Sequence, residues 1–202
     1  MTAAITRTIR RVCVFCGSSP GVDPVYRDEA ARLGRELARR DWELVYGGGS
    51  VGLMGEIADA VLAAGGKVTG VIPQMLAVKE LQHTGCTTLH VTPTMHVRKQ
   101  TMADAADAFV AMPGGFGTFE EVLEIATWAQ LGMHEKPIAL FNVRGFYDPL
   151  LAFIDHTVRE GFIRENQRAI VFSESDAAAL CERLVHHEMP HVKKWVFSSA
   201  ET

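Results

Sequence analysis

No apolar stretch of this 202-residue chain approaches the ~20 residues that a membrane-spanning helix needs. Residues Met1 to Arg11 carry charge but no apolar segment ahead of a small-residue cleavage site, so no secretory leader is expected. Excess positive charge is missing too. Lys and Arg number 20 against 24 Asp and Glu, and the net charge of −4 lacks the basic footprint of a nucleic-acid binder. Cysteine is scarce, with Cys13, Cys16, Cys86 and Cys181 making up all four. Cys13-Val14-Phe15-Cys16 fits C-x-x-C, yet no second pair completes a zinc site. Val12 to Phe15 also reads as a buried strand, on which residues three apart face opposite sides. Both thiols are therefore expected to be small buried residues in a reducing cytoplasm, with no metal between them. Internal repeats, low-complexity blocks and linkers are absent as well.

What is present is the balance of a soluble globular enzyme, 48% hydrophobic and 22% charged, at a length that suits one domain. That domain is expected to span 1–202, with residues 1–10 and 190–202 as flexible tails. Trp195 and Phe197 are the tail's candidates for anchoring to an apolar surface. Strand-like runs alternate with amphipathic stretches almost throughout. Strands are expected at Val12–Cys16, Trp42–Tyr46, Val68–Ile72, Thr88–Val91, Ala108–Met112, Pro137–Phe141 and near Ala169–Phe172. Helices are expected at about 24–40, 51–64, 94–106, 118–131, 146–160 and 176–187. Strands that are unbroken apolar runs point to an α/β protein, a doubly wound parallel sheet with helices on both faces. Such sheets take ligands beyond the carboxyl ends of their strands, where the strand order reverses. The 74–85 connection is the longest one left unassigned.

Three glycine-bearing turns lead from strands into helices. They are Gly17-Ser18-Ser19; Gly47-Gly48-Gly49-Ser50 with Gly52 and Gly55; and Pro113-Gly114-Gly115-Phe116-Gly117-Thr118. Glycine lets a ligand approach the backbone, and the helix that follows directs free N–H groups and its positive end at an anion. Ser50 and Thr118 are the expected N-caps, with hydroxyls able to reach a phosphate oxygen. No Gly-Lys-Ser/Thr follows, so none is a Walker A loop. Gly47 to Gly52 fits G-x-G-x-x-G formally, but after the second strand and without the acidic ribose partner that NAD requires. A small phosphate ester fits better.

Two charged clusters flank these turns. Glu120 and Glu121 fall early in the helix expected to open at Thr118, with Glu124 beyond. Complementing the helix dipole accounts for Glu120. Glu121 lies one turn from the glycine loop, on a face shared with Glu124, Ile125 and Trp128. A carboxylate there can grip ribose hydroxyls or stabilise positive charge on a sugar ring. Met95-His96-Val97-Arg98-Lys99-Gln100 places cations at a helix N-terminus, against the dipole. Local rules tend to break at functional sites, and the Arg98 fork suits phosphate or carboxylate. His96 reads equally well as a helix-end histidine and is assigned no role.

Pro113 to Glu121 matches P-G-G-x-G-T-x-x-E. With Met95 to Lys99, Tyr46 to Gly49 and Cys16 to Ser19, the chain resembles the LOG family of cytokinin riboside 5′-monophosphate phosphoribohydrolases, whose members also carry a lysine decarboxylase label. Trp128 to Gly132 and Asn142 to Tyr147 look like family segments too, and the likeness runs from about Val12 to Glu188. The resemblance implies a Rossmann-like fold and a homodimer with active sites near the subunit interface. It also implies a nucleotide substrate and no metal or organic cofactor. Carried over by position, Arg98 and Glu121 are catalytic, and Gly114, Gly115, Gly117 and Thr118 hold the 5′-phosphate. Ser18, Gly48, Met95 and Lys99 are neighbours of the nucleotide. The implied reaction is hydrolysis of the N-glycosidic bond of an adenosine 5′-monophosphate, N6-substituted or not. The alternative is a sensor or carrier that binds the nucleotide without turnover. Decarboxylation through pyridoxal phosphate would need a Schiff-base lysine, for which only Lys99 lies near.

Overall fold

The structure, a computed structural model, describes residues 6–77 and 81–191. The expectation for Trp195 and Phe197, and the middle of the 74–85 connection, lie outside the described residues. Those residues form seven strands: β1 (Arg11–Phe15), β2 (Glu43–Tyr46), β3 (Val68–Pro73), β4 (Thr88–Thr92), β5 (Ala108–Ala111), β6 (Ile138–Phe141) and β7 (Val171–Glu174). Six α-helices intervene: α1 (Val25–Arg39), α2 (Gly52–Ala63), α3 (Met95–Ala105), α4 (Phe116–Gln130), α5 (Asp148–Arg159) and α6 (Ala177–His186).

Every strand pair is parallel, in the order β4-β3-β2-β1-β5-β6-β7. This is the expected α/β, Rossmann-like doubly wound sheet. Every residue of β5 and β6 is buried, which is why these strands read as unbroken apolar runs. The edge strand β4 is mostly exposed and polar, as a sheet margin tolerates. Pleating sends Val12, Val14 and Cys16 into one core and Cys13 and Phe15 into the other. Helices α1, α2 and α6 cover the first face; α3, α4 and α5 cover the second. Cys13 and Cys16 thus face apart as expected, and burial pushes both thiols above their ordinary range.

Helix α1 illustrates the local logic. Ala30, Leu33, Gly34 and Leu37 recur at helical spacing on the buried stripe, while Arg32 and Arg39 stay exposed. The chain winds outward from β1 to β4, and α3 then carries it back across to β5 on the other side of β1. The strand order therefore reverses between β1 and β5, and the turns after these two strands face each other there.

Several boundaries differ from expectation. Helix α4 starts at Phe116 with Gly115 as its N-cap, so Thr118 sits inside the first turn and caps nothing. The residue before α2 is Val51; the Ser50 hydroxyl instead donates to the Leu81 carbonyl at 3.3 Å. The last strand comes later than expected because residues 165–170 wind into a 3-10 helix ahead of it. At the N-terminal end, residues 7–10 are fastened to the fold. Arg7 donates its backbone N–H to Val185 O, Ile9 is buried, and the Arg10 and Arg11 amides both donate to Asp107. In the 74–85 connection, Gln74–Leu76 makes a 3-10 turn. Further on, Leu81, Gln82 and His83 pair with Gly48, Gly49 and Ser50.

Candidate active site

Hydrogen bonds lock the three glycine turns to one another. Gly17 donates its amide to Pro113 O at 3.0 Å, and Leu53 donates its own to Gly17 O at 3.0 Å. Two glycines permit this approach. Gly52 has φ +61°, and a Cβ there would overlap the Ser18 backbone. A Cβ on Gly114 would overlap Thr118 Oγ1 and lie 2.9 Å from Gly17 N.

The packing leaves a row of unused donors. Among the described residues, no protein acceptor meets the backbone N–H groups of Gly114, Gly115, Phe116, Gly117 or Thr118, or those of Ser18 and Ser19. The first bond of α4 runs from Phe119 N to Gly115 O at 3.0 Å. Free donors at the positive end of a 15-residue helix suit an anion.

A cavity of about 320 Å³ opens beside these donors. Of the residues expected at the site, Ser18, Met95, Arg98, Gly115, Gly117, Thr118 and Glu121 line it. A neighbouring cavity of about 300 Å³ shares Gly17, Ser18 and Gly115 with it, and adds Gly114. Gly48 and Lys99 line neither. Gly48, in the second turn, has φ +73°, and a Cβ there would crowd Ile72 and Leu89. His96 is exposed at the start of α3.

Arg98 and Glu121 meet on the cavity floor. Thr94 caps α3 by accepting from Val97 N at 3.2 Å, which starts the helix one turn before Arg98. Arg98 then reaches over the sheet. Its Nε donates to Val71 O at 2.9 Å, and its Nη1 donates to Glu121 Oε1 at 2.8 Å. The guanidinium fills the space that a Cβ on Gly47 would take. Both side chains are buried, each at 8% residue exposure. Burial pushes the Glu121 carboxyl above its ordinary range, and Arg98 only partly opposes the rise. A carboxyl so raised exchanges its proton at a higher pH than a surface glutamate does.

Lys99 points elsewhere. Its ammonium is tied to Glu120 and, at 2.9 Å, to Glu124. Burial pulls this group down, but the two carboxylates outweigh it and keep the lysine charged. The early-helix carboxylates also sit further along than expected: α4 has no acid in its first turn, so Glu120 serves as the partner of Lys99. Among the described residues no lysine lines the cavity, so these side chains do not fit a pyridoxal phosphate aldimine.

Sequence reasoning did not single out the cavity's apolar side. Met54, Leu76 and Phe116 join Met95 there, and the Phe116 ring is 92% exposed. Tyr26, Leu53 and Phe146 wall the neighbouring cavity. Phe116 stands at the variable position of the glycine motif, where composition gives no signal.

A doubly wound parallel sheet with an open nest of amides and a buried Arg–Glu pair at its reversal point defines a Rossmann-like protein with an anion-binding crevice. Comparison with known proteins narrows this class. A family model described as "Possible lysine decarboxylase" matches residues 54–184. A probable cytokinin riboside 5′-monophosphate phosphoribohydrolase, LOGL9, of Oryza sativa subsp. japonica is 54% identical over 87% of this chain and 77% of its own length. The cytokinin riboside 5′-monophosphate phosphoribohydrolase LOG2 of Arabidopsis thaliana is 50% identical over 90% of this chain and 85% of its own. Among solved structures, a molybdenum cofactor carrier protein from Chlamydomonas reinhardtii shares the fold. Its TM-score is 0.65 at 24% identity, covering 87% of this chain and 97% of that one. The chain belongs to the family of the LOG proteins.

Proposed function

We propose that this chain is a nucleoside 5′-monophosphate phosphoribohydrolase, which cleaves the N-glycosidic bond of adenosine 5′-monophosphates, N6-substituted ones included. The products are the free base and ribose 5-phosphate. The observation that carries the reading is the buried Arg98–Glu121 pair, set one helical turn from the open amides of residues 114–118. The names of relatives at about half identity support it.

The amides and Thr118 take the phosphate, so binding energy remote from the reacting bond positions the sugar. The bond between C1′ and the base nitrogen breaks with its electron pair leaving on the base. Positive charge then grows on the ribose ring, where the Glu121 carboxylate stabilises it. Water adds to C1′, and its proton passes to Glu121 or to the departing base. Arg98 fixes the carboxylate's direction and keeps the buried site balanced in charge. Met54, Leu76, Met95 and Phe116 offer the base and any N6 alkyl group an apolar wall. Gly48 and Lys99 line neither cavity and take no direct part in this reading.

The chain works as a homodimer in this reading. Val97, Phe116 and Leu123 leave apolar side chains exposed on α3 and α4, and α5 buries no residue while exposing Phe153. Four free cysteines suit a reducing cytoplasm. No helix among the described residues is long and apolar enough to cross a membrane. The test is incubation with AMP and N6-isopentenyl AMP, followed by separation of base, nucleoside and nucleotide. Free base with ribose 5-phosphate is expected. Nucleoside alone would mean a phosphatase, and binding without turnover a carrier.

A further inference from the structure

The segment Asn142 to Asp148 leaves the sheet after β6 and contributes only Phe146 to the walls of the two cavities. It is nevertheless built with unusual care. Arg144 and Gly145 both have positive φ, at 52° and 73°. Asn142 Nδ2 donates to Asp148 Oδ1 at 2.7 Å, and Asn142 Oδ1 accepts from Tyr147 N at 2.7 Å. Arg144 pairs with Asp23 in the loop that leads into α1. The Phe146 ring packs edge-on against Tyr147, with centroids 5.0 Å apart.

These contacts aim one atom. Tyr147 is fully buried, and its hydroxyl donates to Met112 O at 2.6 Å. Met112 is the last residue before Pro113 and the open amides. Its own N–H is still held by Phe15 O at 2.9 Å, but its carbonyl has left the strand ladder, because β5 pairs with β6 only as far as Ala111. The next carbonyl, Pro113 O, accepts from Gly17 N, and Gly17 O accepts from Leu53 N. A single phenol thus ends a line of bonds running through all three glycine turns.

We propose that Tyr147 is a positioning residue for phosphate binding: its hydroxyl, held by the Asn142–Asp148 brace, sets the direction in which the backbone leaves β5 and so aims the amides of residues 114–118. The proposal rests on the reading of that loop as the phosphate site. It distinguishes Tyr147 from a core residue that only fills space, because a phenyl ring at this position fills the same volume.

The experiment compares wild type and Tyr147→Phe in two assays: titration with ribose 5-phosphate by calorimetry, and steady-state kinetics with AMP. Removing the donor leaves a buried carbonyl without its partner, and the loop relaxes to find another. The affinity for ribose 5-phosphate is expected to fall by about five- to thirtyfold, with KM for AMP rising in step and kcat within about twofold. Asn142→Ala, which keeps the phenol but loosens its brace, is expected to give a smaller shift of the same kind. It also serves as the test if Tyr147→Phe does not fold. A lower melting temperature with unchanged affinity and KM in the variant that folds would overturn the proposal, since a merely structural role predicts that pattern. Wild type that binds ribose 5-phosphate but releases no base would sink the hydrolase reading and leave this one standing. Wild type that binds no ribose 5-phosphate yet releases base would overturn this proposal and leave the hydrolase reading standing, and wild type that does neither would sink both.

Discussion

Glu121→Gln separates binding from chemistry in this site. The amide keeps the shape of the side chain and an oxygen that can accept from Arg98, now 2.8 Å from the carboxylate. Arg98 also retains Val71 O as an acceptor for its Nε. What is lost is the charge opposite a buried guanidinium. A full break of such a pair costs about 3–5 kcal/mol, and keeping the acceptor reduces this to about 1–3 kcal/mol. For a chain of this length, Tm then falls by roughly 2–12 °C, and the protein remains folded. Turnover suffers far more. Loss of a group that stabilises developing charge or moves a proton lowers kcat by roughly 10²–10⁴-fold. KM for AMP stays within about threefold, since the phosphate donors are backbone amides that the substitution leaves alone. The pH profile adds a check of sign. Burial holds the Glu121 carboxyl above 4.5, so carboxylate-dependent activity is lost as pH falls through that raised value. The acid limb of kcat/KM is thus expected to lie above 4.5 in wild type and to vanish from the residual activity of the variant. Chromatographic measurement of adenine release, beside calorimetric binding of AMP, decides it. Turnover within tenfold of wild type, or binding lost in parallel with kcat, would refute the reasoning.

Four further outcomes follow from the geometry. Gly114→Ala forces a methyl into Thr118 and against Gly17 N, so KM for AMP is expected to rise at least tenfold and Tm to fall. Gly117→Ala meets no protein atom within 4 Å, so it is expected to leave Tm unchanged and to raise KM only if phosphate occupies that space; kinetics and melting of the two variants make the comparison. Lys99→Met breaks an ion-pair cluster whose lysine lines neither cavity, although its partner Glu120 does, so it is expected to lower Tm by several degrees while KM and kcat stay within about threefold. Hydrogen bonding from Arg39 and then Arg40 holds the Glu36 carboxyl at about 2, below its ordinary 4.5. Its stabilisation is therefore full above 4.5 and lost as pH falls toward 2. Arg39 is largely exposed, so Glu36→Gln is expected to cost only about 1 kcal/mol at neutral pH, and the difference in melting to disappear near pH 2.

The strands were legible because the parallel sheet buries them on both faces, which leaves unbroken runs such as Phe109 to Ala111 and Ile138 to Phe141. The glycine loop was legible because close approach of three turns excludes a Cβ at Gly52 and Gly114. Arg98 stood out by opposing the dipole of α3, and the structure supplies the compensation in Glu121. Lys99 broke the same local rule one residue later, yet its answer is Glu120 and Glu124, and the lysine itself lines neither cavity. Adjacent residues on a helix lie about 100° apart, so one can enter a cavity while the next avoids it. Where each points depends on how α3 and α4 pack, and no local pattern encodes that. The start of α4 was misplaced for a related reason. Thr118 is a good cap by type, but glycine at 115 starts the helix earlier without a capping side chain, and this leaves the amides open. Phe116 and Met54 carried no signal, since an apolar residue beside a ligand reads like any other.

The cost of the site sits in two places that folding normally avoids. Among the described residues no protein acceptor meets the seven amides of residues 18, 19 and 114–118, and a carboxylate occupies a position of the buried stripe of α4 that Thr118, Val122, Ile125 and Ala129 otherwise fill. Replacing a buried ion pair by apolar residues of similar volume is commonly neutral or stabilising by about 1–4 kcal/mol, so stability alone does not account for Arg98 and Glu121. The amides of residues 115–118 lie beside the cavity and not in the core. Placement explains why both features coexist. The amides of Phe116, Gly117 and Thr118 belong to the first turn of α4, and Glu121 to the second turn, on the buried stripe. One helix thus presents an anion site to solvent and, a turn deeper, a carboxylate in a poorly solvated environment. In the proposed reading, a phosphate ester held at the first places its sugar over the second. The distance between binding and chemistry is then set by helical geometry, at 1.5 Å per residue, and not by any flexible loop.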